Sequence, residues 1–283
     1  MKKVAILTDS TAYIPADQRQ KYAIFSVPLA VIWGQETFED GVTLAPHDFY
    51  ERLKTTKQIP STSQPSVGKM LEAMNALLAR DYDVLGIFLS SELSGTLQSA
   101  KQAQSMLPGG SQVELFDSQS TTLALGFQVL AAARAAEQGA SLKECLAVAE
   151  KARQNSGVYF MVDTLEFLHR GGRIGGAQAF LGMALKMKPI LYMHEGKIAS
   201  LERVRTKGKA LERLVQLVEE KCAGKSNVHL AGIHANAAQD AQWVLEKAAR
   251  QIKPVETLLA ELSPVVGIHA GPGTVALAYM SEI

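Results

Sequence analysis

The feature that most restricts the fold of this chain is a junction it repeats: a short apolar run that empties into a polar turn and then into a helical pattern. The clearest copy is residues 84–89 (VLGIFL) followed by 90–100 (SSELSGTLQSA). The first segment reads as a buried strand, and Leu97, Ala100, Ala103, Gln104 and Leu107 recur on one helical face. Residues 3–7 and 112–117 are further strands of this kind. Helical patterns follow Pro15, cover 67–78 and 120–137, and resume after Ser141, where Glu144 completes a capping box. Strands joined through helices need crossover connections, so the first half is predicted to be a parallel sheet covered by helices on both faces.

Two segments interrupt that rhythm. Residues 25–33 (FSVPLAVIW) read as one strand, with Pro28 pushing it to a sheet edge or a bulge. Residues 59–66 (IPSTSQPS) form a hydroxyl-rich loop before the helix with Val67, Met70, Leu71 and Met74 on one side. Ser66 there is a natural N-cap.

At 283 residues the chain exceeds what one core usually serves, and about two domains are expected. Asn155-Ser156-Gly157 is the boundary candidate, giving an N-terminal three-layer α/β domain over 1–157 and a C-terminal two-layer α+β domain with a mixed sheet over 158–283. The second half holds a strand at 158–162, a short helix at 163–169, an apolar helix at 176–187 and a hairpin at 189–200 around Glu195-Gly196. Helices around Leu211–Cys222 and Ala238–Ala248 and strands at 228–234, 256–262 and 274–280 complete it. Gly271-Pro272-Gly273 reads as a plain turn before the last strand.

Charge narrows the function classes. Lys plus Arg number 29 against 28 Asp plus Glu, with no long run of either sign, which argues against a general binder of nucleic acid or membrane surface. The opening Met1-Lys2-Lys3-Val4-Ala5-Ile6-Leu7 is cut short by Thr8-Asp9-Ser10, too soon for a signal peptide, and no apolar stretch reaches the roughly 20 residues that span a bilayer. Cys145 and Cys222 are too few and too far apart for a metal cluster or disulfide framework. A cytoplasmic protein is expected.

Several motifs fail on inspection. Gly224-Lys225-Ser226 lacks the earlier glycine of a phosphate loop, and Ser66-Val67-Gly68-Lys69 has no S-D-N or K-T-G partner. No metal or nucleotide cofactor is predicted. What remains is a set of neutral donors with local basic charge. An anion at Ser94-Gly95-Thr96 would meet the unpaired N–H groups of a helix start, although taken alone the stretch reads first as Ser94 capping that helix. Asp9 and Ser10 lie at the C-terminal end of a parallel strand, where ligands bind in open sheets, or cap the helix after Pro15. Arg170 and Arg173 flank Gly171-Gly172, and His269 precedes the Gly-Pro-Gly turn.

Taken together, Thr8-Asp9-Ser10, Thr62-Ser63-Gln64-Pro65, Ser94-Gly95-Thr96, Arg170-Gly171-Gly172-Arg173-Ile174, Val204-Arg205-Thr206 and His269-Ala270-Gly271-Pro272-Gly273 resemble the DegV family, which includes the fatty-acid-binding subunits of bacterial fatty acid kinase. The resemblance implies a long-chain fatty acid held between two α/β domains, with its carboxylate near Thr62 and Ser94; the Gly95 N–H and His269 are further candidate donors. It implies a carrier subunit rather than an enzyme, presenting the acid to a separate kinase that forms an acyl phosphate for phospholipid synthesis. Expected partners are then the fatty acid and the kinase catalytic subunit, with transient membrane contact left open and no nucleic acid. Arg173 and Arg205, near Lys207 and Lys209, are candidates for docking the kinase or neutralising the acyl phosphate; a solvated face is the competing reading. The helix at 176–187 is a candidate tunnel wall or an ordinary core helix. A lipid-sensing regulator, or a hydrolase using Ser94 and His269, is the alternative.

Overall fold

The computed structural model describes residues 2–56, 58–109, 112–181 and 187–283. The first half runs β1 (Lys3–Asp9), α1 (Ala16–Lys21), β2 (Ile24–Val27), β3 (Ala30–Trp33), β4 (Glu36–Glu39), α2 (Pro46–Thr55), β5 (Ser61–Ser63), α3 (Val67–Leu78), β6 (Tyr82–Phe88), α4 (Thr96–Ser105), β7 (Val113–Asp117), α5 (Thr122–Glu137) and α6 (Leu142–Gln154). The second runs β8 (Ser156–Met161), α7 (Glu166–Arg170), β9 (Lys188–His194), β10 (Lys197–Val204), α8 (Lys207–Cys222), β11 (His229–His234), α9 (Ala238–Ile252), β12 (Glu256–Glu261), α10 (Pro264–Ala270) and β13 (Val275–Met280).

Among the described residues three sheets form. The first is parallel throughout, in the order β2-β1-β6-β7; the second is mixed, β10-β9-β8-β13-β11-β12, with β11 and β12 its parallel pair; the third is a small antiparallel sheet, β4-β3-β5. Side chains alternate across the first sheet as strand geometry requires. Ala5, Leu7, Val84 and Phe88 pack on α3 and α4, while Val4, Ile6, Leu85 and Ile87 face α5 and α6. The mixed sheet does the same, with Met161, Leu230 and Leu277 under α8 and α9 and Phe160, Ile233 and Ala276 turned the other way.

That other way is α5. The helix touches β1 and β6 of the first sheet and β8, β11 and β13 of the second, so it is the middle layer of both. Its Leu- and Ala-rich sequence, with Leu123 through Ala133 buried on every side, follows from having a sheet on two faces. Gly126 lets the 3-10 turn Ser10–Ala12 lie against it, since a Cβ there would overlap the Ala12 carbonyl oxygen.

Three sequence expectations are corrected. Residues 25–33 are two strands, because Pro28 has no N–H for the ladder: Ile24–Val27 stays beside β1, and Ala30–Trp33 leaves for the small sheet. The hydroxyl-rich loop contributes β5, paired with β3 through Val31↔Thr62. The plain turn expected at Gly271-Pro272-Gly273 forms, and it is preceded by a helix that no sequence pattern announced, α10, with Pro264 in its first turn. Of the apolar helix expected at 176–187, the described part is a 3-10 helix over Gly175–Phe180, and residues 182–186 lie outside the described residues.

Candidate functional site

The small sheet and α10 bring together two residues 207 positions apart. Thr62 on β5 and His269 on α10 share a hydrogen bond, Oγ1 to Nε2, at 3.0 Å. Three contacts from the first half fix the start of α10. Asp40 Oδ1 accepts from the Val265 N–H at 3.0 Å, the Tyr13 hydroxyl accepts from the Ser263 N–H at 3.0 Å, and the Tyr50 hydroxyl donates to the Leu262 carbonyl at 3.1 Å. Asp40 Oδ2 accepts in turn from Ser10 Oγ at 2.7 Å. His269 is held across its other face by Gly171, where any Cβ would overlap the imidazole Nδ1.

Arg173 joins the remaining two motifs. Its Nε donates to the Leu93 carbonyl at 3.1 Å and its Nη1 to the Gly171 carbonyl at 2.7 Å, tying the turn before α4 to the loop after α7. Ser94, the next residue on that turn, accepts from the Thr96 N–H at 3.3 Å and pairs with the Thr96 hydroxyl at 2.9 Å. The cap residue proper is Gly95, whose open side is filled by the Gln64 side chain. Ser94 therefore steadies its helix and still faces the cavity described next.

Thr62, Ser94, Arg173 and His269 all line one cavity with about 910 Å³ of empty space, its mouth included. Beyond these groups the lining is mostly apolar, with Leu29 and Leu89 from the first half, Phe160, Ile233 and Ala276 from the inner face of the mixed sheet, and Val265 from α10, and it includes Thr121 and Thr122 at the start of α5. A second, wider hollow of about 1750 Å³ shares Thr62, Arg173 and His269 with it and adds Lys54 and Arg170. These three shared side chains stand between a mostly apolar interior and a vestibule whose cations Lys54 and Arg170 are paired with Glu51 and Glu166.

Electrostatics distinguishes the members. Burial, reinforced by the charge on Arg173, pushes the His269 pKa down to about 4, so the ring is neutral at pH 7. Its Nδ1 is buried without a hydrogen-bond partner. Asp9 is raised to about 6 by burial, against the pull of hydrogen bonds from Thr11 and the Leu89 N–H, and burial raises Asp40 as well. Cys145 and Cys222 are pushed up to about 11 by burial, as inert core thiols are.

Thr62, Ser94, His269 and Arg173 thus converge. Gly95 lies beside them without lining either hollow, and Arg205 stands exposed after β10, where it lines neither. Asp9 and Ser10 are braces: Asp9 caps the 3-10 turn at Ser10–Ala12 and accepts from the Leu89 N–H at 2.8 Å, rather than capping the helix after Pro15. Ser66 caps α3 as its position suggested. Lys207 is paired with Asp240 at 2.5 Å. Sequence reasoning missed Asp40, Tyr13 and Tyr50, whose bonds to the start of α10 span more than 200 residues and leave no local pattern.

Comparison with known proteins agrees with this fold. Residues 3–282 match the family model "Uncharacterised protein, DegV family". A DegV domain-containing protein of Halalkalibacterium halodurans is 36% identical over 283 residues, covering 100% of both chains. Among solved structures, a fatty-acid-binding DegV family protein from Thermus thermophilus superposes with a TM-score of 0.93 at 33% identity, covering 99% of this chain and 100% of its own. DegV of Bacillus subtilis, described as a fatty acid binding protein, gives 0.90 at 36% identity with full coverage of both. The chain belongs to the DegV family.

Proposed function

We propose that this protein binds a long-chain fatty acid in the cavity between residues 1–157 and 158–283 and presents the carboxylate to a separate kinase. The observation that carries the reading is the shape of the cavity's chemistry: a mostly apolar interior closed at one end by Thr62, Ser94, His269 and Arg173. Each buried CH2 contributes about 0.8 kcal/mol, so roughly fifteen methylenes supply on the order of 10 kcal/mol before ordering costs. The head group needs donors, because an unpaired carboxylate out of water costs several kcal/mol. Two hydroxyls, the imidazole and the Arg173 guanidinium answer that need, with the Gly95 N–H close by.

The protein acts as a carrier and not as a hydrolase. The Ser94 hydroxyl is paired with Thr96 and His269 Nε2 with Thr62, so neither is arranged as nucleophile and base. A carboxylate oxygen left facing the vestibule attacks the γ-phosphorus of ATP held by the kinase; the bond to the ADP oxygen breaks, and acyl phosphate and ADP result. Lys54 and Arg170 flank that approach, and Arg205 serves the kinase-facing surface.

The experiment is mass spectrometry of the purified protein, native and after organic extraction. A bound long-chain fatty acid at near one per chain supports the carrier reading; an empty protein that also takes up neither oleate nor palmitate overturns it. For the second step, Arg205→Glu is expected to lower kinase-dependent acyl phosphate formation while lipid binding persists. Unchanged acyl phosphate formation would refute that role, whereas equal loss of both would point to misfolding.

A further inference from the structure

The lining of the same cavity also contains polar groups, outside those proposed to hold the carboxylate, that a plain acyl chain does not need. Thr121 and Thr122 line it, and both hydroxyls are buried without a hydrogen-bond partner. Thr122 is only 6% exposed. Buried hydroxyls are nearly always satisfied in folded proteins, so two orphans side by side in one cavity call for a partner.

The backbone there is equally unusual. Thr121 is the N-cap of α5, a 16-residue helix, yet its side chain makes no capping bond, although threonine at that position normally accepts from the first turn. Thr122 has φ +58, in the left-handed region that a β-branched residue avoids. The first N–H groups of α5 have no acceptor within the helix, and its positive dipole end lies at the cavity wall. Hydroxyls that could have folded back to satisfy the helix instead remain uncommitted beside Val158, Phe160 and Ile233.

We propose that Thr121 and Thr122, at the N-terminus of α5, form a second polar station in the cavity that binds an oxygen carried on the acyl chain, so that hydroxy- or oxo-fatty acids are ligands alongside plain ones. The donors are the threonine hydroxyls and the first-turn N–H groups, and their complement is a ligand oxygen that accepts. The proposal rests on the fatty-acid reading and deepens it. A plain chain leaves both hydroxyls unsatisfied against its methylenes, whereas an oxygen at the matching carbon pairs with them.

The test uses the full chain and displacement of a fluorescent fatty acid, with stearate and a series of monohydroxystearates bearing the hydroxyl at successive carbons. At least one positional isomer is expected to bind the wild type as tightly as stearate or more tightly. In Thr121→Val/Thr122→Val, which keeps the branched shape at both positions, that isomer should lose roughly tenfold or more relative to stearate, and stearate itself should tighten. Rejection of every hydroxystearate by the wild type, by tenfold or more, overturns the station without needing the variant. So does an isomer ranking that is the same in wild type and variant, which would mean that the hydroxyls serve a bound water only. If stearate and oleate fail to bind at all, the fatty-acid reading falls and this one with it.

Discussion

The Asp40 carboxylate accepts a hydrogen bond from the backbone N–H of Val265 at 3.0 Å, joining positions 225 residues apart at the first turn of α10. His269 sits at the other end of that short helix. The placement of the imidazole against Thr62 is thus set by a carboxylate from the first half of the chain, with Ser10 orienting its second oxygen.

Asp40→Ala should therefore act on stability and binding together. It leaves the Val265 N–H and the Ser10 hydroxyl without an acceptor, at about 1–3 kcal/mol for each buried group. Urea unfolding is expected to show the loss, and fatty acid titration a weaker affinity as α10 shifts. A variant as stable as wild type would show that α10 is held by its other contacts.

The adjacent glycines 171 and 172 predict opposite behaviour. At Gly171 a Cβ collides with His269, so Gly171→Ala should displace the ring, break its contact with Thr62 and weaken fatty acid binding by about tenfold or more. At Gly172 nothing lies within 4 Å but φ is +71, so Gly172→Ala should cost only about 1 kcal/mol of backbone strain and spare binding. Parallel titration and thermal unfolding of the two variants separates a collision from a strain.

The depressed His269 pKa sets a pH dependence. The unfolded histidine titrates near its ordinary 6.5 and the folded one near 4, so between these values the unfolded state binds more protons. The stability contributed by His269 is complete above pH 6.5 and is lost as pH falls towards 4. Asp9 works in the opposite sense: with a folded pKa of about 6 against 3.8, it costs stability as pH rises through that window. His269→Gln isolates the first effect. Its unfolding free energy should fall less than that of wild type between pH 7 and pH 4.5, and parallel profiles would show that the ring is not held neutral.

Arg173→Met removes a charge and two hydrogen bonds without removing the alkyl stem. Fatty acid affinity is expected to drop by at least about tenfold. The His269 pKa, followed by NMR of the ring proton, should rise, because Arg173 is one of the causes of its depression. An unmoved pKa would leave burial as the sole cause.

Much of this was legible in the sequence, and what was hidden has a common reason. The helix around 67–78, the capping box at Ser141 and Glu144, and the hairpin at Glu195-Gly196 are local patterns, and the chain folds as they read. Thr62, Ser94 and His269 were recognisable as donors, and they meet at one cavity. Arg173 reads from the sequence as a group that docks the kinase or neutralises the acyl phosphate; the structure puts it in the lining of both hollows, bonded to the Leu93 and Gly171 carbonyls. The helix α10 went unread because its seven residues include Gly267 and carry too little periodicity to announce a helix; long-range bonds from Asp40, Tyr13 and Tyr50 hold its first turn. Likewise, β5 is three residues long and exists as a strand only because β3 is there to pair with it.

Because α5 is covered by one sheet on each side, neither half of the chain closes by itself the largest of its cores, the one around that helix. A fragment beginning at residue 158 would expose the whole α5-facing side of the mixed sheet, and one ending at 157 would expose a bare Leu- and Ala-rich helix. Unfolding of the intact chain should consequently be a single cooperative transition, with circular dichroism and the fluorescence of Trp33 and Trp243 reporting the same midpoint. With α5 bridging both sheets, exchange of a fatty acid is expected to follow the opening of loops at the rim rather than the separation of halves.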